Sequence, residues 1–153
     1  MDIINRSRDA MPFVTKDGST IREILAPRNA PATIHNQSLA EATVAPGATT
    51  EAHYHARTEE IYYVLQGRGE MRIGSEARMV GPGDAVAIPP GAPHQITNSS
   101  ATEDLVFLCC CAPAYTHEDT VMVDNLAASF PSGSPIIGGR GAAPPQNLQE
   151  GPA

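Results

Sequence analysis

Two imidazoles and a carboxylate fall within eight residues of this 153-residue chain, as His53-x-His55-x4-Glu60, and a third imidazole, His94, follows the turn Pro89-Pro90-Gly91-Ala92-Pro93. Alternate residues of a β-strand share a face, so His53 and His55 point the same way, with Tyr54 turned to the other side. Glu60 opens the run Glu60-Ile61-Tyr62-Tyr63-Val64-Leu65 after the polar turn Ala56-Arg57-Thr58-Glu59, and a hairpin there returns its carboxylate to the imidazoles. Glu59 competes for that role, but the interval of six residues before Gly67 favours Glu60 and leaves Glu59 solvated. A single histidine on an apolar strand is ordinarily a hydrogen-bonded core residue; three at these spacings beside a glutamate read as a metal site. His53, His55, Glu60 and His94 offer three nitrogens and one oxygen to one divalent transition ion per subunit. Manganese, iron, zinc, nickel and cobalt all accept such mixed donors. On a six-coordinate ion two neighbouring positions stay open for water, substrate or dioxygen.

These ligands sit inside two longer patterns, Gly47-x5-His53-x-His55-x4-Glu60-x6-Gly67 and Gly83-x5-Pro89-x-Gly91-x2-His94-x3-Asn98. With every fixed position filled, the chain resembles the cupin superfamily, and over Leu39 to Val123 it is similar to the small cupins of the mannose-6-phosphate isomerase-like group. The resemblance implies an all-β fold, a double-stranded β-helix (jelly-roll) barrel of a single domain, and a homodimer. Its cysteine-bearing last strand looks like that of the methylthioxylulose-phosphate methylsulfurylase type of cupin. That likeness implies sulfur salvage, in which a thiolate takes a methylthio group from a metal-bound ketose phosphate.

The elements that must position the ligands are legible as short strands. Apolar or alternating runs, punctuated by glycine and proline, cover Leu39 to Val44, His53 onward, Ile61 to Leu65, Glu70 to Ile73, Ala77 to Val80, Ala85 to Ile88, Gln95 to Asn98 and Leu105 to Cys111. Such spacing reads as a sandwich or barrel. Residues 36–123 are therefore the expected barrel, with an amino-terminal arm over 1–35 and a flexible tail over 124–153 rich in Gly, Pro, Ala and Ser. Within the arm, Thr20 and Glu23 match a capping box that opens a short helix stopped by Pro27, although so short a stretch suits a strand as well. Asn98 secures the end of its strand. Leu105 to Cys111 and Ile61 to Leu65 are apolar at both parities, so their outer faces need a cover, which a second subunit supplies. His117 to Val123 is an extended arm suited to crossing to that partner.

Composition narrows the partners. A net charge of −7 and a pI near 5.1 leave no basic stripe for nucleic acid or an anionic membrane. The sequence shows no apolar run near membrane-spanning length and no secretory leader, so a cytoplasmic protein is expected.

Cys109, Cys110 and Cys111 are the unusual run. Adjacent cysteines do not readily pair, and reduced thiols are expected inside a cell, so the run is either strand filling or a source of one pocket thiolate acting as nucleophile. Alternation turns either Cys110, or Cys109 with Cys111, inward. Arg57, Arg68 and Arg72 are candidates for a substrate phosphate, and Tyr62, Tyr63 and Gln95 for polar contacts in the pocket. The ligand set suits two enzyme classes. One is proton removal next to a carbonyl through a metal-stabilised enediolate, on a small hydroxy-carbonyl substrate of sugar-phosphate type. The other is dioxygenase chemistry with iron or manganese. A non-catalytic, metal-dependent binder of sugars or other small molecules is the third reading.

Overall fold

The computed structural model describes residues 3–30, 33–124 and 126. Its strands, in chain order, are β1 (Pro12–Val14), β2 (Thr20–Leu25), β3 (Ser38–Val44), β4 (His53–His55), β5 (Glu59–Gln66), β6 (Gly69–Ile73), β7 (Glu76–Val80), β8 (Ala85–Ile88), β9 (His94–Asn98), β10 (Leu105–Ala112) and β11 (Thr120–Met122). They form two antiparallel sheets, a six-stranded one ordered β1-β2-β3-β10-β5-β8 and a five-stranded one ordered β11-β4-β9-β6-β7. This is the sandwich that the spacing predicts and the jelly roll that the resemblance implies. The eight strands read from the sequence are β3 to β10.

Alternation builds the core. Along β10, Leu105, Phe107, Cys109 and Cys111 are buried, whereas Cys110 is exposed and Val106 and Leu108 are half-buried. The inward residues meet Val64, Ile96, Met71, Ile88, Ala42 and Val44 between the sheets. Phe107, 1% exposed, stacks at 4.5 Å between ring centroids on Tyr62, and truncating such a ring to alanine costs about 3–5 kcal/mol. Tight turns fix the register. Gly67, at φ +82°, closes the β5–β6 hairpin against the start of β10, and a Cβ there would lie 2.5 Å from the Asp104 carbonyl oxygen. Asn98 holds the far end of β9 as expected, its Nδ2 donating to the carbonyls of Val44 at 2.9 Å and Glu103 at 2.8 Å.

The amino-terminal arm differs from its expected form. Thr20–Leu25 is strand β2, because its backbone pairs with β3; cross-strand pairing overrides a capping signal carried by two side chains. Together with β1 it extends the six-stranded sheet. The helical turn α1 (Arg6–Asp9), capped by Asn5, lies earlier, and Arg6 pairs with the buried Glu41 of β3. The arm at His117 to Val123 also resolves differently. Its strand β11 pairs with β4 of the same chain, Thr120 opposite His55 and Met122 opposite His53. The expected tail from 127 onward lies outside the described residues. Among the described residues no helix is long and apolar enough to cross a membrane.

Candidate metal centre

The five-stranded sheet presents all three imidazoles. His53 and His55 point inward from β4, and His94 of β9 is the direct cross-strand partner of His53. Gly91, at φ +76°, makes the bend before β9 and donates its N–H to the His55 carbonyl at 2.7 Å, so the turn that delivers His94 is tied to the strand that carries His55. One ligand atom from each of the three lies within 4.8 Å of the others, and all three residues are buried. The fourth expected group arrives from the opposite sheet: Glu60 of β5 sets Oε2 3.3 Å from His55 Nε2 and 3.4 Å from His94 Nε2.

Hydrogen bonds fix which nitrogen faces the cavity. His53 Nδ1 lies 2.9 Å from the Glu51 carbonyl and His94 Nδ1 lies 3.0 Å from the Ala92 carbonyl. A carbonyl only accepts, so both Nδ1 atoms carry the proton and both Nε2 lone pairs are free. His55 Nδ1 meets Thr120 Oγ1 at 3.2 Å, and that hydroxyl donates onward to the Thr116 carbonyl at 3.2 Å, which assigns His55 the same tautomer. Burial, then the neighbouring His94, pushes the pKa of His53 down to about 4, so this imidazole is neutral at pH 7. Burial opposes the charge on Glu60; in the metal-free site a proton on Nε2 of His55 or His94 would donate to it and hold the carboxyl well below the usual carboxylate range.

The donors fit a cation. Glu60 Oε2 and His94 Nε2 are buried without a hydrogen-bond partner, an arrangement costing roughly 1–3 kcal/mol per group unless something binds them. Two ligands at right angles on an ion, each about 2.1 Å from it, are about 3 Å apart. The Glu60–imidazole separations approach that value. A carboxylate with neutral nitrogens suits a divalent transition metal.

These groups line a cavity of about 60 Å³ whose other walls include Cys109, Cys111, Tyr115, Asp17, Ser19 and Thr120. A wider groove of about 840 Å³ is lined by residues of β5, β6, β7 and β8, Glu60 among them, but no histidine lines it; the chemistry therefore belongs to the smaller space. Cys111 donates its thiol to Glu60 Oε1 at 3.3 Å. Burial and the Glu60 charge raise the pKa of Cys109 and Cys111 far above the thiol range. Both are thiols at neutral pH, and Cys110 lies on the outer face. A pocket thiolate, expected as one reading of the run, has no support.

The candidate substrate residues are corrected by parity. Arg72 points outward from β6 beside Glu70 at 3.2 Å, Arg68 is exposed in the β5–β6 turn, and Tyr63 is exposed on the outer face of β5. Arg57 is bound to Asp119 at 3.1 Å with most of its side chain in solvent. Gln95 faces away from the site and donates to the Thr50 carbonyl at 2.8 Å. Tyr62 does turn inward, 5.9 Å from His94 between ring centroids, but it is packed in the core rather than lining the cavity. In their place the arm supplies Asp17, Lys16, Glu23 and Arg28. The dipeptide Asp17-Gly18 between Phe13-Val14 and Thr20-Ile21 is a hairpin signal that marks this turn.

Residues 40–111 match the Cupin domain family. An uncharacterised protein of Methanocaldococcus jannaschii is 46% identical over 125 residues, covering 81% of this chain and 98% of its own length. The polyketide cyclase RemF from Streptomyces resistomycificus superimposes with a TM-score of 0.62 at 25% identity, over 78% of this chain and 89% of that one. The oxalate decarboxylase of Bacillus subtilis superimposes with a TM-score of 0.65 at 25% identity, over 80% of this chain and 33% of that one. With its two sheets, its buried histidine cluster and these relatives, the chain belongs to the cupin superfamily. Its structural neighbours include enzymes.

Proposed function

We propose that the protein is a metal-dependent enzyme that moves a proton next to the carbonyl of a small hydroxy-carbonyl substrate, through an enediolate. The observation that carries this reading is the set of three buried histidines whose ligand atoms lie within 4.8 Å of one another, beside the buried, partnerless Glu60 Oε2. A divalent ion bound there would polarise a carbonyl and offset the negative charge of an enediolate. The chain's own residues do the rest. Glu51, Ala92 and Thr120 hold the imidazoles in one tautomer, and Cys111 holds Glu60 Oε1. A cavity of about 60 Å³ is far below the 300 Å³ or so of pockets for drug-sized ligands, which favours a substrate of about three or four carbons over a polyketide. A phosphate on such a substrate would sit at the mouth, toward Lys16 and Arg28, rather than beside Arg57, Arg68 or Arg72. Similarity to a cyclase and a decarboxylase supports catalysis over simple binding. The buried thiols give sulfur transfer no support, so that specific reading is set aside.

Two measurements test the proposal. Elemental analysis is expected to give one divalent ion per chain, and His55→Ala and His94→Ala are expected to lose it while staying folded; full metal content in either variant would remove the centre. Anaerobic incubation with short hydroxy-ketones in D2O should then exchange the hydrogen beside the carbonyl. Turnover strictly dependent on O2 with Fe(II) would instead establish the dioxygenase reading, and ligand binding without either reaction would leave a binding protein.

We also propose a homodimer built on the outer face of the six-stranded sheet. There Ile61, Tyr63 and Leu65 are 48%, 43% and 43% exposed beside Val106 and Leu108 of β10.

A further inference from the structure

Asp17 is 9% exposed, lines the histidine cavity, and makes no ion pair with a cation among the described residues. Its Oδ1 is saturated by neutral donors, Thr15 Oγ1 at 2.6 Å, Ser19 Oγ at 2.8 Å and Ser19 N at 3.2 Å. An aspartate that merely shapes a hairpin turn ordinarily stands in water; this one is folded under the barrel mouth. Two ties keep it there. The Glu51 N–H donates to the Asp17 carbonyl at 2.7 Å, and the carbonyl of the same Glu51 holds His53. Lys16 Nζ donates to the His117 carbonyl at 3.0 Å, just before the strand whose Thr120 braces His55. The negative charge of Asp17 is accordingly felt at His53, Tyr115 and Cys109. It also balances charge, since neutral imidazoles, Glu60 and a divalent ion leave one positive unit.

We propose that Asp17 is the catalytic carboxylate of this site, with Oδ2 as the atom that carries the substrate proton. This inference rests on the enediolate reading. Oδ2 takes the proton from the hydroxyl-bearing carbon, and the C–H electron pair becomes the carbon–carbon double bond as the carbonyl π pair moves onto oxygen. Returning the proton to the neighbouring carbon, while the hydroxyl proton passes to the former carbonyl oxygen and its O–H electron pair becomes the new carbonyl bond, isomerises the substrate; returning a solvent deuteron to the original carbon labels it. Nothing is oxidised or reduced and no co-reactant is required.

The test uses the full-length, metal-loaded protein with dihydroxyacetone and hydroxyacetone in D2O, followed by proton NMR. Asp17→Asn keeps an acceptor for Thr15 and Ser19 and is expected to retain its metal and its melting temperature while losing exchange by about 100-fold or more, the lower bound of general acid–base contributions. Asp17→Ser serves as the second variant and should behave alike. Arg72→Ala, on the outer face of β6 beside Glu70 and away from the cavity, is the control and should retain exchange. If native protein exchanges and a folded, metal-loaded Asp17→Asn exchanges equally, this inference alone falls. If native protein exchanges neither ketone, the enediolate reading falls and takes the role of Asp17 with it. If neither Asp17 variant folds with metal, the residue is a building element of the mouth and the inference is overturned.

Discussion

At the scale of single residues, the thiol of Cys111 has a structural task that its place in a cysteine run conceals. By donating to Glu60 Oε1 it leaves Oε2 alone to face the imidazoles, so Cys111→Ser should retain metal affinity and Cys111→Ala should weaken it about 10–100-fold, the usual cost of losing a group that orients a ligand. Competition titration with a chromogenic chelator reads the difference; equal affinity in the two variants would show that the contact is incidental. Protonation gives a second expectation. Burial, then the neighbouring His94, pushes the pKa of His53 down to about 4 from the ordinary imidazole value of 6.5, so between those values the unfolded chain binds a proton that the metal-free fold does not. Stability is therefore fully present above pH 6.5 and falls as the pH drops toward 4, by roughly 3 kcal/mol at about 1.4 kcal/mol per unit. Urea denaturation of metal-free protein at pH 7 and pH 4.5 measures it, and a flat profile would contradict it. The histidine cluster with Glu60 beside it was legible in sequence because a group of two histidines and a glutamate depends on local spacing alone. The arginines and Tyr63 misled because charge and ring type reveal nothing about which parity of a strand turns inward.

At the scale of elements, strand existence was readable wherever alternation or turn residues marked it, and β3 to β10 follow from that. Residues 20–25 carried two competing local signals, a capping box and a hairpin at Asp17-Gly18, and only the long-range ladder to β3 decides between them. The mouth of the cavity was invisible for a related reason: Asp17 and His53 meet through a backbone bond to Glu51 that no sequence period announces. The β5–β6 turn offers a direct test of how firmly elements are seated. Gly67→Ala forces a side chain into the left-handed region, at about 1–2 kcal/mol, and drives its Cβ to 2.5 Å from the Asp104 carbonyl oxygen and 2.9 Å from Leu105 Cα. A loss of more than 2 kcal/mol in chemical denaturation is expected, and a neutral result would mean that the turn can rearrange freely.

At the scale of the whole molecule, the proposed dimer predicts that Tyr63→Lys or Leu65→Lys yields monomers, since a charge set into an apolar interface without a partner costs several kcal/mol. Light scattering decides it, and a native protein that is monomeric at high micromolar concentration would overturn the assembly. The distribution of the four proposed metal donors has a separate mechanical consequence. Three come from one layer and Glu60 from the other, so an ion seated among them rivets the two layers together. Loading should then slow amide hydrogen exchange in β4, β9 and β5 at once, although only β4 and β9 belong to the same sheet. A hundredfold excess of free ion over its dissociation constant adds about 2.7 kcal/mol of stability. The melting temperature thus becomes a gauge of the metal available to the protein, and a chelator would loosen the barrel without touching a single residue of its core.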